Sequence, residues 1–194
     1  MAQVIDLNAT KPIRGEKYFV DTNVWFWTTY VASKDMSIPN APEDYQVNDY
    51  SQFLERIISD GAELCHSVLT LSEIANIVEK KELEIYKRNE NLDVFDKKSF
   101  RKITEQRNTV IEEVKMAWSV INSMSTCIPV NLDLDFAKST ISVIEEGVLD
   151  SYDSFFVQVM RNCNIDCLIT DDDDFCSIDH QIVITANKKA IKFN

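Results

Sequence analysis

The chain has 194 residues, of which 45% are hydrophobic, and this is enough to form one domain with a buried core. Its net charge of −12 argues against a broad basic surface for nucleic acids, but not against an enzyme that meets phosphates through a bound cation. No apolar run is long enough to span a membrane, and the N-terminus lacks the pattern of a signal peptide. Five cysteines, an odd number without zinc-site spacing, favour reduced and mostly buried thiols. We therefore expect a cytoplasmic protein made of a single domain over residues 1–194.

Hydrophobic periodicity predicts strands that alternate with helices along the chain. The elements predicted in the first half are a polar, mobile lead-in at 1–16, a strand at 17–20, an aromatic helix at 23–33, a polar loop to about Asn48, a helix that ends at Gly61, a strand at 64–69 and a helix carrying Leu71, Ile74, Ala75 and Val78. Those of the second half are a long helix from about Ser99, a strand at 127–130, a helix at 135–146, a helix at 151–162, a strand at 166–170 and a strand at 182–184. This alternation is typical of a three-layer α/β/α fold, so we expect about five parallel strands covered by helices on both faces.

The long helix predicted from about Ser99 carries an apolar stripe at alternating three- and four-residue steps. The stripe consists of Phe100, Ile103, Val110, Val114, Ala117, Ile121 and Met124, with Arg107 in its one polar slot. We interpret it as a core seam against a neighbouring helix, and a homodimer interface is the alternative.

The stretch from Glu79 to Arg107 departs from the acidic average of the chain. It holds nine Lys or Arg residues against seven Asp or Glu residues. We favour a solvated helix face as the explanation, and the alternative is a surface that holds phosphates beside a cleavage site.

Four acidic residues occupy places that a parallel sheet would bring together. Asp21 directly follows the first strand, Glu73 follows the second, Asp172 lies in the acidic run after the fourth, and Asp153 begins the helix before that strand. Neighbouring strands of a parallel sheet end along one edge, ~4.8 Å apart. Carboxylates crowded there repel unless a cation compensates, and oxygen ligands suit Mg²⁺ or Mn²⁺. The pattern therefore indicates a metal site at this edge.

Each of these acids also has an alternative local role. Asp21 has the side chain of a helix N-cap, Thr70 and Glu73 match a capping box, and the run of four acids at 171–174 is compatible with a solvated turn.

The fourth site position has two candidates. Asp153 begins the helix before the fourth strand, and Asp150, three residues earlier, can be its N-cap. If Asp150 caps the helix, Asp153 is left for the site. The sequence by itself leaves this choice open.

Four segments of the chain together resemble the PIN (PilT N-terminal) ribonuclease domain. They are Phe19-Val20-Asp21-Thr22-Asn23, Leu71-Ser72-Glu73, Asp153-Ser154-Phe155-Phe156-Val157 and Leu168-Ile169-Thr170-Asp171-Asp172-Asp173-Asp174-Phe175. The resemblance covers about residues 17–185 and includes the order and spacing of all four acids, with the Thr-x-Asp-x-Asp-Phe ending as its most specific part. Two departures from compact members, among them toxins of toxin–antitoxin pairs, are a helical insertion at about 80–125 and an extended loop at 33–48.

The resemblance implies a metal-dependent ribonuclease. It implies that Asp21, Glu73, Asp153 and Asp172 are the catalytic, metal-binding residues, that Mg²⁺ or Mn²⁺ is the cofactor, and that Asn23 supports Asp21. It also implies products with a 5′-phosphate and a 3′-hydroxyl. Because a recessed metal site admits a splayed strand more readily than a duplex, we expect single-stranded RNA as the substrate.

Several biological roles remain open at this level. The chain has the features of a toxin with an antitoxin protein as its partner, and equally of an RNA-processing or defence nuclease. Alternatives that keep the acids are a DNA-directed nuclease, a metal-dependent phosphatase and a catalytically silent binding module. Of the two histidines, His66 lies within a predicted strand, and we expect it to be a core residue rather than a ligand.

Overall fold

The computed structural model describes residues 1–34 and 39–192. The strands are β1 (Gln3–Asp6), β2 (Lys17–Val20), β3 (Glu63–Ser67), β4 (Thr126–Ile128), β5 (Cys167–Ile169) and β6 (Ile182–Thr185). The helices are α1 (Thr22–Thr28), α2 (Asp44–Ser59), α3 (Val68–Asn89), α4 (Lys97–Phe100), α5 (Thr104–Met124), α6 (Leu134–Glu146), α7 (Ser151–Asn162) and α8 (Lys188–Ile191), with short 3₁₀ turns at Val31–Ser33 and Asp173–Ser177. Residues 35–38 of the predicted 33–48 loop lie outside the described residues.

The six strands form one parallel sheet in the order β1-β6-β5-β2-β3-β4. The predicted parallel α/β architecture is thus confirmed, with one strand more than the five expected. The extra strand is β1, which lies in the segment predicted to be a mobile lead-in and pairs with β6. That prediction is wrong for Gln3–Asp6. The strand has only four residues and its pairing partner lies at 182–185, so the local sequence pattern does not reveal it.

Helices cover both faces of the sheet. Tyr18 and Val20 of β2 point into a core shared with α1, α2, α3 and α5, whereas Phe19 points into a second core shared with α6 and α7. This alternation follows from the two-residue side-chain period of a strand. The layers are therefore helix, sheet and helix, and the ends of β2, β5 and β3 lie side by side near the middle of one edge.

The first two helices differ from the prediction at their boundaries. The aromatic helix predicted at 23–33 ends at Thr28 as α1 and is followed by a 3₁₀ turn at Val31–Ser33. Helix α2 begins at Asp44 rather than after Asn48, where the Gln46 side chain accepts a hydrogen bond from the Glu43 N–H at 2.9 Å. Its first turn is polar, which made it look like a loop. It ends as predicted before Gly61, whose φ of +77° is a conformation that favours glycine.

The long helix predicted from about Ser99 is divided in two. Helix α4 is a single turn capped by Asp96, which accepts from the N–H groups of Lys98 and Ser99 at 3.0 Å, and α5 starts only at Thr104. The apolar stripe of α5 packs against α3, as the core-seam interpretation predicted. Its alternative, a homodimer interface through this stripe, is wrong because the central stripe residues are buried inside the chain.

The remaining global expectations have mixed outcomes. Within the described ranges, every helix is too short or too polar to cross a lipid bilayer. All five cysteines are free thiols; Cys65 and Cys167 are buried as expected, whereas Cys127 is exposed because β4 is an edge strand.

Candidate metal centre

Asp21 lies at the end of β2, in the position of N-cap of α1, and its side chain is almost fully buried. Its carboxylate makes no capping hydrogen bond. Instead Oδ2 accepts a hydrogen bond from Thr170 Oγ1 at 2.8 Å, across the paired ends of β2 and β5. Thr170 therefore holds one carboxylate oxygen of Asp21 in place. The helix-cap role is secondary, since the N–H groups of Thr22 and Asn23 lower the pKa of Asp21 less than the Thr170 hydroxyl does.

Glu73 lies on the second turn of α3. The predicted capping box with Thr70 is wrong, because β3 ends earlier than predicted and Ser67 is the N-cap, accepting from Leu69 N–H at 3.1 Å. The Glu73 carboxylate is thus free of a capping role, and its Oε2 accepts a hydrogen bond from Thr22 Oγ1, next to Asp21 in the chain. This contact brings Glu73 to the end of β2.

The cap of α7 distinguishes the local roles of Asp150 and Asp153. Asp150 Oδ1 accepts hydrogen bonds from the N–H groups of Tyr152 at 2.8 Å and Asp153 at 3.0 Å. Within the described residues the Asp153 carboxylate has neither a hydrogen-bond donor nor an ion-pair partner. Asp153 is consequently the half-buried acid available to the site.

Asp172 combines a local role with its place at the site. Its Oδ1 caps the following 3₁₀ turn by accepting from Asp174 N–H at 2.9 Å, and its own N–H donates to Thr170 Oγ1 at 3.0 Å. The turn interpretation is therefore half correct, since one carboxylate oxygen remains outside the cap. Thr170 links Asp172 and Asp21 through a single hydroxyl.

The electrostatics of the four acids show that they crowd one another. Burial, followed by the charges of Asp21, Asp150, Glu73 and Asp172, raises the pKa of Asp153 to about 8. Burial is also the main cause that raises the pKa of Glu73 to about 7 and that of Asp21 to about 6, in each case partly offset by the threonine hydrogen bond. Burial raises the pKa of Asp172 too. A cation at this place would reverse all four shifts.

The four acids lack a positive partner. None of them forms an ion pair with Lys, Arg or His in residues 1–34 and 39–192. In the same residues, no three His, Cys, Asp or Glu side chains stand close enough together to hold a metal ion as they are placed. The structure thus brings the acids into mutual electrostatic range without a counter-charge.

Comparison with protein-family models gives no match, and neither does comparison with curated proteins. Among solved structures, the chain is similar to one in the crystal structure of VapBC2 from Rickettsia felis bound to a DNA fragment from their promoter. The two share 14% sequence identity with a TM-score of 0.51, over 87% of this chain and 98% of that one. The fold is PIN-like. At this identity the similarity concerns the three-layer α/β/α fold and its parallel sheet.

Within this PIN-like fold, two supporting residues escaped the sequence analysis. Thr22 and Thr170 donate hydrogen bonds to Glu73 and Asp21, whereas Asn23, expected to support Asp21, is exposed. Both threonines belong to the segments that carry the PIN resemblance, so their position beside the acids was the available signal.

A further device fixes the acidic run itself. Asp171 accepts hydrogen bonds from three side chains of α2: Tyr45 at 3.0 Å, Gln46 at 2.8 Å and Tyr50 at 2.8 Å. Asp171 therefore points away from the other acids and ties the end of β5 to α2. The sequence alone does not predict these contacts, because α2 and Asp171 lie more than 120 residues apart.

His66 is a core residue, as expected. It is fully buried, its Nδ1 lies 2.8 Å from Ser125 Oγ, and its ring meets Trp118 edge-on at 5.0 Å. Burial lowers its pKa, so the neutral form is favoured. It has no part in the acidic site.

Proposed function

We propose that this protein is a metal-dependent endoribonuclease that hydrolyses single-stranded RNA. The observation that carries the proposal is the approach of Asp21, Glu73, Asp153 and Asp172 at the carboxyl edge of a parallel sheet. Within residues 1–34 and 39–192, none of the four forms an ion pair with Lys, Arg or His. Ligand sites of open parallel sheets lie at this edge. Buried carboxylates without a counter-charge are costly, and a divalent cation removes that cost.

The donor set fits Mg²⁺ or Mn²⁺. It offers only carboxylate oxygens, which hard cations prefer, and Asp153 has an unoccupied carboxylate in the described part of the chain. When bound, such a cation supplies the positive charge that activates water and stabilises the developing charge on a phosphodiester.

The protein's own part is to aim the acids. The Thr170 hydroxyl donates to the Asp21 carboxylate and accepts from the Asp172 N–H, and the Thr22 hydroxyl donates to the Glu73 carboxylate. Two hydroxyls thus orient two carboxylates and one backbone N–H. Glu73, Asp153 and Asp172 are only half-buried, which leaves the edge accessible to a substrate. Because no histidine or lysine forms an ion pair with the four acids within the described residues, proton transfer would fall to the carboxylates and to water.

The biological role within this proposal is that of a toxin with an antitoxin protein as partner. The likeness to a chain of VapBC2 supports it at the level of the fold. An RNA-processing or defence nuclease would use the same site. A small gene for a partner protein beside this gene favours the toxin, and its absence favours the other two.

Cleavage assays with charge-matched variants test the proposal. Single-stranded RNA and DNA of one sequence would be incubated with Mg²⁺, Mn²⁺ or EDTA. Since a catalytic cation contributes several kcal/mol, we expect Asp21→Asn and Asp172→Asn to lower RNA cleavage by on the order of 100-fold or more, and EDTA to abolish it. Asp60→Asn, an exposed change after α2, removes the same charge and should have no effect.

The other outcomes identify the alternatives. Full metal-dependent cleavage by both variants would reject the proposed site. Cleavage of DNA in preference to RNA would make the protein a DNA-directed nuclease. A wild-type protein that binds metal and RNA but cleaves neither nucleic acid would be a silent binding module.

A further inference from the structure

The carboxylate of Glu79 on α3 is surrounded by three cations. It is buried, with 5% of its side chain exposed, and it lies 2.5 Å from Arg101 Nε, 3.0 Å from Lys97 Nζ and 3.6 Å from Arg107 Nη1. One carboxylate neutralises one cation, so this cluster carries two positive charges in excess. In a chain with net charge −12, such an excess marks a place suited to a second anion.

The outer faces of these cations remain open to solvent. The Arg101 and Arg107 side chains are each 48% exposed, and the Lys97 side chain is 34% exposed. Hydrogen bonds to Arg101, followed by those to Lys97, lower the pKa of Glu79 to about 2 and keep it ionised. Three cations of the basic stretch are thus fixed around Glu79 rather than free on a solvated helix face. Their exposed N–H groups can still donate hydrogen bonds to a second anion.

Two cavities that share Asn76 lie beside this cluster, and one of them is also lined by Glu73 of the acidic site. A cavity of about 600 Å³ is lined by Asn76, Arg101 and Arg107 among others. A second, of about 340 Å³, is lined by Glu73, Asn76, Lys80, Lys97 and Tyr152. Asn76 lines both, and its Oδ1 accepts a hydrogen bond from Lys97 Nζ at 2.7 Å. The two cavities are therefore neighbours at Asn76, and the smaller one has both Glu73 and Lys97 in its lining.

We call the surface around these two cavities the basic groove and define it by Asn76, Lys80, Lys97, Arg101, Arg107 and Tyr152. Lys80 is exposed and forms no ion pair within the described residues. Tyr152 is 40% exposed on the first turn of α7, one residue before Asp153. Cations along a channel with an exposed aromatic ring are the means by which proteins bind single strands, through phosphate contacts and base stacking.

We propose that the basic groove binds single-stranded RNA on one side of the bond that is cut, with Lys80 and Arg107 on phosphates and the Tyr152 ring against an unpaired base. This inference rests on the proposed ribonuclease function and adds the surface along which the RNA strand lies. A duplex has its bases stacked and cannot present one to Tyr152, so the groove selects single strands.

The test measures binding without cleavage. Fluorescence anisotropy of a labelled mixed-sequence RNA 12-mer would be followed in EDTA over a series of salt concentrations. In Lys80→Gln/Arg107→Gln, the loss of two phosphate contacts should reduce the slope of log affinity against log salt by about 1.4. Arg107 is the most distant partner of Glu79, so Lys97 and Arg101 still neutralise that carboxylate.

A matched control removes the same charge elsewhere. Lys138→Gln/Lys189→Gln changes exposed residues of α6 and α8, on the opposite face of the sheet, and should leave affinity and slope unchanged. Tyr152→Leu should weaken binding roughly tenfold without changing the slope, because stacking is not electrostatic.

The outcomes separate the groove from the nuclease. If the Lys80/Arg107 variant binds RNA like wild type, or if the control loses as much, the groove is rejected even where cleavage is intact. Failure of wild type to bind RNA also rejects it. Groove-dependent binding by a protein that cleaves no RNA with Mg²⁺ or Mn²⁺ would keep the groove and reject the nuclease.

Discussion

At the scale of single residues, the Thr170 hydroxyl contacts two of the four acids at once. It donates to Asp21 Oδ2 and accepts from the Asp172 N–H, so one side chain sets the relation between acids of two strands. Threonine is restricted about χ1, and this keeps the hydroxyl in place. Thr22 has the same function for Glu73.

These hydroxyls give the first prediction at this scale. Thr170→Val keeps the shape of the side chain but leaves Asp21 without its donor, and we expect metal-dependent cleavage to fall by about 10- to 100-fold, as for other residues that orient metal ligands. The change should appear mainly as weaker apparent affinity for Mn²⁺ in a metal titration of the cleavage rate.

Thr170→Ser is the matched control, because it restores the hydroxyl, and it should recover most of the activity. Equal activity of the valine and serine variants would show that Thr170 does not position the acids.

At the residue scale, positions could be predicted where an acidic residue follows a strand of a predicted parallel sheet. Sequence reasoning placed Asp21, Glu73 and Asp172 at one edge of a parallel sheet. It could not choose between Asp150 and Asp153, since a helix cap becomes visible only through its hydrogen bonds. Sequence reasoning also could not predict the partners of Asp171 on α2, because these contacts depend on how distant segments pack.

At the scale of elements, Glu79 joins three helices. It lies on α3, its partners Lys97 and Arg107 lie on α4 and α5, and Arg101 directly follows α4. The break between α4 and α5, absent from the predicted continuous helix, places these cations around one carboxylate. An ion pair with so buried an acid contributes to stability, although half-exposed partners reduce its value.

Glu79 provides a prediction of pH dependence. Its pKa falls from the ordinary 4.5 to about 2, so the folded state binds this proton less readily than the unfolded state. The contribution to the free energy of unfolding is therefore complete above about pH 4.5 and is lost as pH falls towards 2. Glu79→Gln should lower stability by about 1–2 kcal/mol at pH 7, and the difference from wild type should shrink at pH 3.

Urea unfolding at the two pH values measures this difference. Glu112→Gln is the control: it breaks an exposed pair with Lys115 on the same face of the molecule and should cost less than about 0.5 kcal/mol. A Glu79→Gln effect that is independent of pH would mean that packing, rather than charge, holds the three helices together.

Element prediction failed where the local pattern was weak. Helix α2 starts with a polar turn, and β1 is a four-residue edge strand whose partner is β6. By contrast, α7 was predicted with its observed bounds, because its apolar period is regular and Asp150 marks its start.

At the scale of the whole molecule, the distribution of charge organises the account. The chain is acidic overall. Four acids without an ion pair in the described residues lie near the ends of β2 and β5, whereas three cations surround the single carboxylate of Glu79. A parallel sheet produces the first cluster, since its strand ends share one edge. The number of basic residues from Lys80 to Arg107 indicated a cation-rich segment. Only the packing of α3 against α5 shows that three of these cations surround Glu79.

The central claim is that four carboxylates from separate segments hold one kind of divalent cation. The most direct measurement is Mn²⁺ binding followed by electron paramagnetic resonance, with wild type, Asp153→Asn and the Asp60→Asn control. We predict binding by wild type and the control and a loss of at least about tenfold in affinity for Asp153→Asn, which removes a charged ligand. Equal Mn²⁺ affinity in all three proteins, or no Mn²⁺ binding by wild type, would contradict the account.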